Sequence, residues 1–159
     1  MSLRRPTRLP GFTYIGRFSY SLRFGTFQRR SHFTDPALIR SALTQIQRTC
    51  EEERFALIAY CFIHDHVHLA VRGLTTESDL SRYVRIAKQR VAYIARTEFA
   101  VRSIWQAGYY ERIVRAHGLE SVVRYILDNP VKAGLVERAE QYPFSGVASD
   151  LLSGWNRRA

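Results

Sequence analysis

The stretch from residue 55 to residue 71 constrains the fold of this chain more than any other part of the sequence. Its first half, 55–63, is almost continuously apolar, which is typical of a central strand buried on both faces. After a polar pair at 64–65 the residues alternate, so that His66 and His68 lie on one side of the chain and apolar residues on the other. The pattern predicts two adjacent strands joined by a turn, the second of which presents two imidazoles on one face.

Periodic segments before and after these strands predict the remaining elements. They are a strand within 17–24, a helix begun by Asp35-Pro36 and ended by the acidic run 51–53, a helix at 78–99, a strand at 105–114 and a helix at 119–128 stopped by Pro130. The order strand, helix, two strands, helix, strand, helix is typical of an α+β fold. We therefore expect a single-layer antiparallel sheet with helices packed on it.

The charge of the chain favours a polyanionic partner, of which nucleic acid is the usual one. The chain has 24 Lys and Arg against 14 Asp and Glu, a formal net charge of +10. One face of the second predicted helix carries a stripe of Arg82, Arg85, Gln89 and Arg96. This stripe is a candidate phosphate-contacting surface, with a solvated helix face as the alternative.

Other residues are further candidates for contact with nucleic acid. Arg4 and Arg5 lie near the N-terminus and are candidates for DNA contact. Trp105 and Tyr110 are candidates either to stack on bases or to pack in the core.

Length and composition indicate one domain at 13–150, between a flexible basic arm at 1–12 and a tail at 151–159. The two cysteines fall in an amphipathic helix and an apolar run, as is typical of buried thiols in a reducing compartment. No apolar stretch approaches ~18 residues, and no apolar segment follows the basic N-terminus. We expect a cytoplasmic protein without a membrane partner.

The two histidines make an incomplete metal site, because imidazole is a good ligand for divalent ions but further ligands are needed. The third predicted helix offers Tyr125 and Asn129, which are four residues apart and therefore on one helical face. The Asn129 amide oxygen is a candidate ligand for a hard divalent ion, and the Tyr125 phenol then points at the group that the ion polarises. The spacing leaves open whether this helix faces the histidines, and a core or rim aromatic is the alternative for Tyr125.

Three motifs follow one another in the chain: IHDHVHL at 63–69, WQAGYYER at 105–112 and YILDNPVKAGLV at 125–136. In this order they resemble the single-tyrosine HUH transposases, and more narrowly their REP-associated tyrosine transposase branch. The resemblance covers about residues 13–146. It implies a ferredoxin-like or RRM-like HUH endonuclease fold, in agreement with the α+β pattern.

The resemblance also implies roles for individual residues. His66 and His68 bind a metal ion, Mg²⁺ or Mn²⁺, with Asn129 as the third ligand, and Tyr125 is the nucleophile. The family cuts single-stranded DNA beside a hairpin and joins strands through a 5′-phosphotyrosine, leaving a free 3′-OH. Relatives act as monomers or as homodimers. A domesticated DNA-binding or regulatory protein that no longer cuts DNA is the alternative from another functional class.

One position departs from the family pattern, since His64 stands where relatives usually carry a proline. With unbroken alternation, His64, His66 and His68 share one face and form a zinc-like site by themselves, which is the basis of a second alternative, a small metal hydrolase. A turn at 64–65 breaks that alternation. Asp65 is then a candidate either to hydrogen-bond a liganding imidazole or to cap the turn.

Overall fold

The computed structural model describes residues 9–148. Their elements, in chain order, are β1 (Ser19–Gly25), α1 (Pro36–Glu52), β2 (Phe55–Ile63), β3 (His66–Gly73), α2 (Leu80–Glu98), β4 (Tyr110–Val114), α3 (Leu119–Lys132) and β5 (Ser145–Val147). The strands form one antiparallel sheet in the order β4-β1-β3-β2-β5. The α+β prediction is confirmed, and the elements from β1 to β4 follow the ferredoxin-like βαββαβ order.

Helices cover both faces of the sheet. On one face, apolar side chains of the central strands, such as Leu22 and Leu69, pack with α1 and α2 in the larger core cluster. On the other face, Cys61 and Ala70 pack with Val123 and Ile126 of α3. Because α3 contacts β2 and β3, the face that carries α3 is covered mainly on the β2 side.

The helix starts follow from capping side chains. Asp35 caps α1 by accepting a hydrogen bond from Ala37 N at 2.9 Å, and Pro36 occupies the first helical position, as predicted. The second helix begins at Leu80 rather than at 78, because Asp79 is its N-cap and accepts a hydrogen bond from the backbone of the first turn.

The strand predicted at 105–114 is shorter than expected, since only Tyr110–Val114 is extended and paired. Trp105 forms an isolated bridge with Thr26, and its indole N–H donates to Lys88 O at 3.0 Å. Gly108 has a φ of +77°, a conformation that interrupts an extended strand. Trp105 packs against the core beneath the sheet, in agreement with the packing alternative.

The third helix continues past Pro130, where the sequence predicts that it stops. Pro130 lacks the N–H that would bond to the carbonyl of the preceding turn, but the helix extends by two more residues to Lys132. Gly134, whose φ is +72°, follows the end of the helix, and Leu135 N donates to Pro130 O at 2.9 Å in a Schellman arrangement. Asn129 therefore stays within the helix.

Arg4 and Arg5 lie outside the described residues, as does the predicted tail at 151–159. Phe12, which the sequence assigns to the arm, packs edge-on against Tyr14 and Phe18. The predicted limits of the arm, domain and tail stay predictions. Between residues 9 and 148, no helix is long and apolar enough to cross a membrane.

Candidate active site

The β2–β3 hairpin brings two imidazoles together on the sheet face that carries α3. Ile63 pairs with His66, so the turn contains only two residues, and His66 and His68 open the second strand. Their Nε2 atoms lie 3.1 Å apart. Two nitrogen ligands that bind one ion at ~2.1 Å and at right angles are separated by about 3 Å. This spacing is compatible with one metal ion bound by both Nε2 atoms, a role that stays a prediction.

Asp65 orients the first of these rings. Its Oδ1 lies 2.6 Å from Nδ1 of His66, and its Oδ2 accepts a hydrogen bond from Arg29 Nε at 3.2 Å. When Nδ1 of the neutral ring donates, the lone pair is at Nε2, on the side of His68. Thr26 holds the backbone of the turn, since its N–H and its Oγ1 both donate to Asp65 O. The Asp65 carboxylate thus contacts an imidazole rather than the backbone of its own turn.

His64 does not join the other two histidines. It occupies the turn, and its carbonyl accepts a hydrogen bond from Phe33 N at 3.0 Å. Within residues 9–148 there is no group of three or more His, Cys, Asp or Glu side chains placed to hold a metal ion. The three-histidine arrangement is therefore not formed, because the turn ends the alternation on which it depends.

Burial keeps the paired imidazoles neutral. It lowers the pKa of His68 to about 3, and the neighbouring His66 and Arg23 contribute to this shift. Burial also lowers the pKa of His66, although the hydrogen bond to Asp65 opposes the effect. For Asp65, burial raises the pKa, but the hydrogen bonds from His66 and Arg29 outweigh it and the net shift is downward. Neutral imidazoles beside a carboxylate are in the protonation state that binds a metal cation.

Cys61 lies opposite His68 in the register of β2 and β3. It is fully buried, and burial raises the pKa of its thiol to about 12. At neutral pH this thiol is a packing group beneath α3 rather than a thiolate.

Tyr125 approaches the histidines from α3. Its ring centroid lies 5.8 Å from that of His68 at an interplanar angle of 85°. The side chain is 49% exposed, so the phenol is accessible to a large substrate. Lys132, two turns along the same helix, has its Nζ 4.6 Å from the Tyr125 ring centroid. This cation lies over the ring, within the range of a cation–π interaction.

Asn129 lies one turn after the tyrosine. Its Nδ2 donates to Tyr125 O at 2.8 Å, which leaves Oδ1 as the acceptor atom of the amide. Its amide oxygen is of the kind that hard divalent ions such as Mn²⁺ or Mg²⁺ accept, and its role as a third ligand beside the two imidazoles stays a prediction. The helix-borne pair and the histidine pair thus lie on the same side of the sheet.

Strands β1 and β4 extend this face with arginines that the sequence did not single out. Arg23 lies directly opposite His68 on one side and Tyr110 on the other, and Arg112 lies in the next row. Arg72 follows on β3, with its Nε 3.3 Å from Ser19 Oγ. In the part of the chain that the structure describes, none of these three arginines forms an ion pair with a carboxylate. We call Arg23, Arg72, Arg112 and Tyr110 the basic sheet face.

The predicted basic stripe on α2 lies elsewhere. Its members are exposed, as expected: Arg82, Arg85, Gln89 and Arg96. However, α2 packs in the core on the opposite face of the sheet, so the stripe is not part of the candidate site. Arg82 also pairs with Glu53 at 2.7 Å. A role of this stripe in DNA binding stays a prediction.

A ferredoxin-like sheet with a histidine pair facing a helix-borne tyrosine agrees with the tyrosine transposase motifs of the sequence. Residues 15–129 match the family described as Transposase IS200 like, and the chain belongs to this family.

Individual proteins similar to this chain include REP-associated tyrosine transposases. The chain is 27% identical over 157 residues to the REP-associated tyrosine transposase of Escherichia coli K12. The aligned region covers 97% of this chain and 87% of that protein. It is 28% identical over 135 residues to a Haemophilus influenzae protein assigned to the REP-associated tyrosine transposases, covering 77% and 74% of the two chains. A solved structure of a REP-associated tyrosine transposase bound to a REP hairpin has the same fold, with a TM-score of 0.74, 21% identity and coverage of 88% and 82%. The predicted family is confirmed, and these relatives agree with the predicted REP-associated branch.

Proposed function

We propose that this protein is a metal-dependent endonuclease and strand transferase that acts on single-stranded DNA beside a hairpin. Tyr125 is the nucleophile, and His66, His68 and Asn129 hold the metal ion. One observation carries the proposal: within a single chain, the ring of an accessible tyrosine meets one of two imidazoles whose Nε2 atoms are 3.1 Å apart.

The reaction that this arrangement supports is a transesterification. The Tyr125 phenol oxygen forms a bond to phosphorus, and the bond from phosphorus to the 3′-oxygen breaks. The phenol loses its proton and the leaving 3′-oxygen gains one, so no external cofactor is consumed. The products are a 5′-phosphotyrosine and a free 3′-OH. The 3′-OH of another strand reverses these bond changes, which joins that strand and releases the tyrosine.

The chain's own residues prepare this step. Asp65 fixes the tautomer of His66, and burial keeps both imidazoles neutral and available as ligands. Lys132 places positive charge beside the phenol. A bound Mg²⁺ or Mn²⁺ supplies Lewis acid catalysis by polarising the phosphate oxygens. The amide oxygen of Asn129 suits either metal, and the imidazoles of His66 and His68 would supply the nitrogen ligands.

The substrate class follows from charge and from the relatives. The net charge of +10 and the basic sheet face favour a nucleic acid strand that crosses β1 and β4 to reach the histidines. Tyr110 is 44% exposed on this path and is suited to stack on an unpaired base. Because the structurally similar transposase was solved with a REP hairpin, we propose a hairpin with a single-stranded flank as the substrate.

The ring of Tyr125 contacts that of His68 within one chain, which favours a site formed by a single subunit. We therefore propose that a monomer cleaves DNA in cis. Of the two oligomeric states that the sequence leaves open, the monomer is the one that this contact favours. We also propose that the protein is located in the cytoplasm.

An adduct assay tests the function. End-labelled single strands that carry genomic hairpins are incubated with protein and Mn²⁺ or Mg²⁺ and resolved on a denaturing gel. We expect a covalent protein–DNA band with the wild type and none with Tyr125→Phe. Tyr93→Phe is the matched control, since Tyr93 is 60% exposed on α2 across the sheet. Tight, salt-dependent binding without cleavage under any metal would instead favour the DNA-binding alternative.

A further inference from the structure

Arg23 is a neighbour of the histidine pair on the adjacent strand of the sheet. It lies on β1 directly opposite His68, and directly opposite residues of an antiparallel pair project to the same face. Tyr125 and α3 lie over the β2 side of the histidines, whereas Arg23 lies on the β1 side. A group held at the histidines would therefore have the phenol on one flank and the guanidinium on the other.

The guanidinium is only partly satisfied by the protein. Its Nε is buried, and within residues 9–148 it has no hydrogen-bond partner. Buried polar groups are nearly always hydrogen-bonded, so an orphaned donor calls for an explanation. Proteins retain an unpaired buried donor and cation where a ligand supplies the missing acceptor and negative charge.

Burial and the lack of a partner for its Nε among the described residues distinguish Arg23 from the other arginines of the basic sheet face. Arg72 and Arg112 are exposed, so water satisfies their donors. Other arginines of the chain pair with carboxylates, as Arg90 does with Glu52 and Arg54 with Glu77. Arg23 combines partial burial, an orphaned donor and a position directly opposite His68, a combination that fits a bound anion rather than solvent.

We propose that Arg23 is a further catalytic residue, which donates to a non-bridging oxygen of the scissile phosphodiester. This inference rests on the proposed function and adds a residue that the motifs do not contain. In phosphoryl transfer, negative charge spreads over the equatorial oxygens, and arginine is suited to stabilise it through its fork of donors. Arg23 thus binds the phosphate opposite Tyr125, while the nucleophile attacks from the α3 side.

The test combines a protein change with a substrate change. Arg23→Gln, Arg23→Lys and the wild type are compared in single-turnover adduct formation at saturating protein. The substrates are a hairpin oligonucleotide with a normal scissile phosphate and one with a methylphosphonate there, which removes the charged oxygen. Arg40→Gln is the control, since it removes an equal charge from the exposed surface of α1. Thermal unfolding of each variant is measured alongside.

We expect Arg23→Gln to slow adduct formation by about 100-fold or more, as the loss of one transition-state donor does. Arg23→Lys restores part of the rate, and Arg40→Gln keeps the wild-type rate. The methylphosphonate should slow the wild type strongly but slow Arg23→Gln by less than about threefold. The reason is that the protein change and the substrate change remove the same contact. Arg23→Gln should unfold at a temperature no lower than the wild type, because the removed Nε had no protein partner.

Two results overturn the assignment. One is an adduct rate for Arg23→Gln within about threefold of the wild type, and the other is an independent, multiplicative effect of the methylphosphonate in that variant. Both require that the wild type forms the adduct. A wild type that forms none overturns the proposed function itself, and the role of Arg23 with it, so the two failures are distinguishable.

Discussion

The ring of Tyr125 stands nearly perpendicular to the ring of His68, with the two centroids 5.8 Å apart, although one residue lies on a helix and the other on the central strand of the sheet. Packing of α3 on β2 creates this contact, through the buried Val123 and Ile126. The ring of Tyr125 is held near the histidines while its side chain stays half exposed. A candidate nucleophile and a pair of candidate metal ligands are thus brought together by one chain.

Because the contact lies within one chain, variants that lack different halves of the site should not complement each other. We expect mixtures of His66→Ala and Tyr125→Phe to form no more adduct than either variant alone. The measurement is adduct formation on the hairpin substrate across a range of mixing ratios. Recovery of a substantial share of wild-type activity in the mixture would mean that the tyrosine acts on a partner subunit.

Asp65 should influence metal affinity through His66. Loss of an orienting carboxylate typically weakens metal binding by about 10- to 100-fold. We expect Asp65→Asn to require correspondingly more Mn²⁺ for half-maximal adduct formation, and to bind Mn²⁺ more weakly in direct titration. Glu77→Gln is the control, since Glu77 is an exposed carboxylate paired with Arg54. Unchanged Mn²⁺ affinity in Asp65→Asn would show that the carboxylate serves only the turn.

The buried imidazoles predict how stability depends on pH in the metal-free protein. The pKa of His68 is about 3 in the folded state, whereas an unfolded histidine titrates near ~6.5. Between these values the unfolded chain binds more protons, so the free energy of unfolding falls as the pH is lowered below ~6.5. One proton contributes up to about 1.4 kcal/mol per pH unit, and His66 acts in the same direction.

Urea unfolding in EDTA between about pH 5.5 and 7 measures this slope where carboxylates are largely ionised. We expect His68→Gln to flatten the slope relative to the wild type. Exchanging His117 for Gln is the control, because that histidine is exposed beyond β4. A wild-type slope in His68→Gln would contradict the neutral, buried state of the imidazole.

The basic sheet face predicts where the DNA strand lies. The double change Arg72→Gln and Arg112→Gln should weaken binding of single strands and reduce the salt dependence of the binding constant by about 0.7 in log–log slope for each lost phosphate contact. The measurement is fluorescence anisotropy at several salt concentrations. The pair Arg85→Gln and Arg96→Gln measures the α2 stripe in the same way. A larger loss from the α2 pair would place the DNA on the opposite side of the protein.

Much of the fold is readable in the sequence because its signals are local. The alternation of His66 and His68 with apolar residues predicts their strand, and the structure confirms it. Asp35-Pro36 predicts a helix start from capping chemistry alone. The motifs identify the family, and the family in turn predicts the tyrosine and the third ligand, whose roles stay proposals.

Features that depend on distant parts of the chain are not readable in the same way. Arg23 falls on the polar side of an alternating strand, but only the register of β1 with β3 places it opposite His68. The spacing of Tyr125 and Asn129 gives their common helical face, whereas the packing of Val123 and Ile126 decides which side of the sheet that helix covers. Pro130 predicts a stop on local grounds, and its burial in a packed helix overrides that tendency.

The most direct test of the account is to identify the residue that carries the DNA. Wild-type protein is reacted with a hairpin oligonucleotide and Mn²⁺, digested with protease and nuclease, and the nucleotide-bearing peptide is sequenced by mass spectrometry. We predict that the phosphodiester maps to Tyr125 with the phosphate at the 5′ end of the DNA. An adduct on any other residue, or cleavage without a covalent intermediate, would contradict the central claim.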